Sequence, residues 1–71
     1  MNRPRRSVTE RMIDVGYALL DHVETQPVPD HLQLELAECA DRFTHFRELS
    51  TREAELAVSA AERLLSTLRS A

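Results

Sequence analysis

The sequence predicts an all-α fold of three helices, over about residues 8–24, 30–47 and 51–69. Three observations predict it. Apolar residues recur at spacings of three and four, Ser-x-x-Glu pairs stand where two of the helical stretches begin, and Gly16 and the prolines at 4, 27 and 29 leave long stretches unbroken. No run alternates apolar and polar residues with the period of a strand. At 71 residues, 42% of them hydrophobic, the chain holds one small domain and is too short for an enzyme-type pocket. A core of this size supplies roughly 3–5 kcal/mol. Two architectures follow: a small antiparallel bundle, or a helical hairpin plus a C-terminal helix whose core a partner completes.

Residues 1–6, Met-Asn-Arg-Pro-Arg-Arg, have no hydrophobic period and repel one another, which predicts a disordered basic tail ahead of a single helical domain over 7–71. Ser7 and Glu10 form a capping box that opens the first helix. Its stripe is Val8, Met12, Val15, Leu19 and Val23, widened by Ile13 and Leu20. Gly16 either permits a close helix approach or marks a weak point, because glycine costs about 1 kcal/mol against alanine inside a helix. Pro27 and Pro29 each exclude the preceding residue from the helical region, so Thr25 to Asp30 reads as a short, stiff elbow. The second helix starts at Asp30, capping with Gln33, or with Pro29 in its first position. Leu32, Leu36, Cys39 or Ala40, Phe43, and Phe46 or Arg47 form its stripe, flanked by Leu34. Ser50 and Glu53 form another capping box. The stripe of the third helix is Ala54, Ala57, Ala61, Leu64 or Leu65, and Leu68, thin at first and fuller later.

Histidines 22, 31 and 45 are far apart and belong to no HExxH, CxxC or ExxH arrangement, so neither a metal nor another cofactor is expected. The His31/Glu35 and Asp41/His45 spacings fit solvent-facing pairs one helical turn apart. The single cysteine, Cys39, reads as a core thiol. No phosphate-binding glycine loop and no Ser-His-Asp set is present, and the chain is not expected to be an enzyme. Neither a signal peptide nor a membrane span is expected, which points to a cytoplasmic location. Four arginines near the N-terminus, without interleaved aromatic residues, do not predict direct nucleic-acid binding. Charge is segregated. Met12 to Asp41 carries seven acidic residues and no Arg or Lys, residues 1–11 carry four Arg against one Glu, and residues 42–71 carry five Arg against four Glu. An acidic helix-elbow-helix suits a basic protein surface, since complementary charge speeds encounter and excludes wrong partners. Alternatively the acidic residues only keep two helices solvated, and the chain is a self-associating structural module, a homodimer for example.

The elbow and its flanks, Val23-Glu24-Thr25-Gln26-Pro27-Val28-Pro29-Asp30-His31-Leu32, resemble the hallmark of NepR-type anti-sigma factors, small proteins of the alphaproteobacterial general stress response. The resemblance covers about residues 13–36, roughly a third of the chain. Gln26 stands where the family pattern has Glu, and His31-Leu32 where it has Arg-Phe. The resemblance implies that the helices flanking the elbow bind an extracytoplasmic-function-type sigma factor and hold it off RNA polymerase. It also implies that a phosphorylated response regulator with a sigma-like domain competes for the same surface. Two amphipathic helices in so small a chain are suited to partner docking by their own pattern. Expected partner-binding residues are Leu19, Leu20, Val23, Pro27, Val28, Pro29, Asp30, Leu32 and Leu36.

Overall fold

A computed structural model describes residues 7–70 and places three α-helices, α1 (Val8–Thr25), α2 (Asp30–Thr44) and α3 (Thr51–Ser70), with a single 3-10 turn at Phe46–Glu48. Among the described residues there is no strand. The expected basic tail over 1–6 lies outside the described residues.

Each helix begins where the local chemistry allows. Ser7 Oγ accepts from the Glu10 N–H (3.1 Å) and Glu10 Oε1 accepts from the Ser7 N–H (3.4 Å), the reciprocal pair of a capping box. Ser50 and Glu53 repeat it ahead of α3 at 3.2 and 3.0 Å. The second helix starts at Asp30, as expected, but Asp30 is not its cap. Pro29 (φ −55°, ψ 141°) is the N-cap and makes no side-chain cap bond, while Asp30 is the first helical residue. Gln33 Nε2 instead donates to Asp30 Oδ1 and the Val28 carbonyl, 3.3 and 3.4 Å away. The elbow is extended, as prolines require: Gln26, ahead of Pro27, lies at φ −133°, ψ 143°, and its N–H still donates to the His22 carbonyl at 2.8 Å.

The second helix ends earlier than the expected residue 47. It stops at Thr44, and His45 (φ −107°, ψ 25°) leads into the 3-10 turn. No breaker residue marks this point. Thr44 Oγ1 donates back to the Ala40 carbonyl at 2.9 Å, as Thr67 does to Arg63 inside α3, so this bond does not by itself end the helix. The tighter turn brings Phe46 against the core and edge-on to Phe43, with ring centroids 6.1 Å apart. Burial of an aromatic ring outweighs the helical period here.

The core is centred on α3, which packs against both α1 and α2, whereas the backbones of α1 and α2 keep apart. Ala54, Ala57, Val58, Ala61, Leu64, Leu65 and Leu68 of α3 are all buried, against Val15 and Leu19 of α1 and Leu32 and Cys39 of α2. Val58, absent from the expected stripe, has no exposed surface at all. Val58 lies at one edge of the buried sector of α3. The alanines that made this stripe look thin let α3 come close to both partners.

Truncating Leu64, which is 3% exposed, to Ala is expected to cost about 2–5 kcal/mol, comparable with the whole stability of such a domain, whereas Leu56→Ala on the exposed side should stay within about 0.5 kcal/mol. Urea titrations followed by circular dichroism check the contrast. The Glu53 carboxyl is held below its ordinary value, first by the Ser50 backbone N–H and then by the Ser50 side chain. Its contribution is complete above the unfolded-state value near about pH 4.3 and is lost as pH falls through the lower folded-state value. Glu53→Gln should therefore lower the thermal midpoint at neutral pH, with the difference from wild type shrinking in acid.

Candidate docking groove

The apolar sectors of α1 and α2 are wider than α3 covers. On α1 the buried row Val15 and Leu19 is followed, one row around the helix, by Gly16, Leu20 and Val23; on α2 Leu32 and Cys39 are followed by Leu36, Ala40 and Phe43. Both second rows have the spacing four, three, and Gly16 at the start of one faces Phe43 at the end of the other, so the rows run antiparallel. Together with Leu19 and Cys39 they line a groove of about 340 Å³ between α1 and α2, and no polar side chain enters it. Beyond the groove the apolar surface continues outward on α1 through Ile13 and Tyr17, 45% and 70% exposed, with Leu20 57% exposed at the lip. Three large apolar side chains at helical spacing on one side of a small domain form a patch of the kind that marks an interaction surface.

Gly16 sits on the wall of this groove. Its backbone is ordinary helix with no positive φ. A methyl group at its Cα would lie 3.7 and 3.8 Å from the Phe43 ring carbons Cδ2 and Cε2, ordinary van der Waals contacts. Neither a tight helix crossing nor a special backbone angle requires glycine here, although it costs α1 about 0.5–1 kcal/mol relative to alanine.

The structure divides the expected partner-binding residues into three groups. Leu19 and Leu32 belong to the core, 6% and 5% exposed, with Leu19 also forming part of the groove floor. Leu20, Val23 and Leu36 come together in the groove. At the elbow, Val28 and Pro29 are half-buried, with Val28 packed on the core, and Pro27 and Asp30 are exposed. The groove residues that sequence reasoning did not single out for binding are Gly16, Cys39, Ala40 and Phe43, with Ile13 and Tyr17 outside them. The signal was present as a second apolar row beside the first on each helix, legible as an apolar sector too wide for one contact.

The two helices that line the groove are acidic. The described parts of α1 and α2 carry eight carboxylates, Glu10, Asp14, Asp21, Glu24, Asp30, Glu35, Glu38 and Asp41, all on exposed residues, against two arginines. Both arginines are engaged. Arg11 makes a two-pronged ion pair with Glu62 of α3, with Nε 3.2 Å from Oε2, and Arg42 Nη2 lies 3.6 Å from Glu38 Oε2 one turn away. The Arg11 guanidinium is held above its ordinary pKa chiefly by the hydrogen bond to Glu62. Half-exposed as it is, this pair fixes the register of α1 on α3 more than it adds stability. Burial pushes the Cys39 thiol up, Arg42 opposes this, and Glu35 and Glu38 add to it, so the sulfur is neutral and serves as apolar lining.

A larger depression of about 570 Å³ lies at the elbow end, lined by polar and apolar residues that include Asp21, His22, Gln26 and Arg69. It gathers no set of groups suited to acid–base chemistry. Among the described residues no three metal-ligating side chains come together, and no helix is long and apolar enough to cross a membrane. Compared with known proteins, the chain matches no family model, no curated protein and no solved structure.

Proposed function

We propose that this chain is a small protein-binding regulator that acts by sequestration and not by catalysis, in the manner of the NepR-type anti-sigma factors that its elbow resembles. The observation that carries the reading is the apolar surface left open on α1 and α2 in a domain whose α3-centred core is otherwise closed. An open apolar strip between two helices that carry eight exposed carboxylates is suited to a partner helix with an apolar face and basic margins. The elbow fixes how the two flanking helices are presented, because Pro27 and Pro29 prevent one continuous helix. In this reading the bound partner is an extracytoplasmic-function-type sigma factor, and a sigma-like domain of a response regulator releases it by occupying the same surface. Both locate the protein in the cytoplasm.

Stopped-flow association with a sigma factor of the alphaproteobacterial general stress response, at several ionic strengths, tests this. Burying one leucine is worth roughly 1.5–3 kcal/mol and an exposed ion pair under about 1 kcal/mol. Leu20→Ala, at a position the core does not need, should therefore raise the dissociation rate about tenfold or more. Reversing Asp21 and Glu24 to Arg should slow association and flatten its salt dependence. Absence of binding at micromolar concentrations, or association of the wild type that ignores salt, would contradict the proposal.

A further inference from the structure

Gly16 weakens α1, its backbone angle needs no glycine, and the space above it accepts a methyl group in ordinary contact with Phe43. What the missing side chain leaves is a methyl-sized notch between the groove wall and the Phe43 ring. The distance from Gly16 to Val23 is seven residues, about 10.5 Å or two turns at 1.5 Å per residue. That length accommodates apolar anchors at positions i, i+3 or i+4, and i+7 of a single helix laid along the groove. With eight carboxylates and two already engaged arginines on α1 and α2, such a helix is favoured when its margins carry Arg or Lys. A second copy of this chain is disfavoured, because α1 and α2 of both copies carry the same excess of carboxylates.

We infer that the α1–α2 groove is a receptor for one amphipathic helix of another protein with basic margins, and that Gly16 is its specificity-determining position, where an apolar anchor of that helix packs on the bare α-carbon beside Phe43. This rests on the reading of the chain as a protein-binding module but not on the partner's being a sigma factor. A side chain added at Gly16 fills the notch from within, so it strengthens α1 and excludes the anchor together. Stability and binding then move in opposite directions, which distinguishes a recognition notch from a structural glycine.

The test uses the full chain and fluorescence anisotropy with a fluorescein-labelled 18-residue peptide, Leu at i, i+3, i+4 and i+7 and Arg, Lys and Ala elsewhere. Two controls are a scrambled peptide of identical composition and a peptide with the same apolar face but Glu in place of Arg and Lys. The wild type should bind the basic helix about tenfold or more tighter than either control. Gly16→Ala should raise the thermal midpoint and weaken binding severalfold, and Gly16→Leu should weaken binding about tenfold or more. Should Gly16→Leu fail to fold by circular dichroism, Gly16→Ala decides the matter. Unchanged affinity in the folded Gly16 variants, equal binding of the scrambled or acidic peptide, or a dimer in sedimentation equilibrium that Gly16→Leu converts to monomer would overturn the inference. Peptide binding that depends on Gly16, without any affinity for the sigma factor, would reject the sigma-factor reading and keep this one. Sigma-factor binding that ignores Gly16 would do the reverse.

Discussion

Everything in this domain depends on α3 serving two helices at once. The backbones of α1 and α2 keep apart, and what holds them in one body is the face of α3 that runs through Ala57, Val58, Ala61, Leu64, Leu65 and Leu68. Small residues occupy its first half, so its axis approaches both neighbours closely, and leucines fill the wider space toward its end. The capping box of Ser50 and Glu53 begins α3 sharply, and the ion pair of Arg11 with Glu62 fixes how far along α1 it lies.

The groove is the other side of the same constraint. A third helix can cover only one side of a helix pair, and the apolar sectors of α1 and α2 extend to both. Val15, Leu19, Leu32 and Cys39 are satisfied by α3. Gly16, Leu20, Val23 and Ala40 are not, and the exposed Ile13 and Tyr17 widen what remains. A chain under selection for stability alone would close this space with larger side chains. The exposed carboxylates of α1 and α2 repel copies of the same chain, while they favour a basic partner.

Much of the fold is legible in the residues themselves. Ser7 with Glu10, Ser50 with Glu53, and the paired prolines of the elbow locate helix starts through local chemistry, and local chemistry is what a sequence displays. The end of α2 is not legible, because Thr44 and His45 carry no stop signal and the 3-10 turn exists to seat Phe46 on a core assembled from distant residues. Asp30 has the composition of a cap, yet Pro29 takes that position, since its fixed φ suits the entry equally well. The rank of the helices was also hidden. A stripe of alanines reads as weak when counted residue by residue, and its value appears only when two neighbours pack on it. The same holds for the groove: Leu19 and Leu20 are adjacent and equally apolar, and only the position of α3 sends one to the core and the other to the lip.

Native-state hydrogen exchange measured by NMR on the full chain tests the central role of α3 most directly, because it reports the opening free energy of each helix separately. If α3 holds the other two together, the amides of Val58, Ala61 and Leu65 exchange only through global unfolding, and the central amides of α1 and α2 never outlast them. Amides around Val15 and Leu36 that remain protected after those of α3 have exchanged would show that α1 and α2 hold together without it, and would contradict the account.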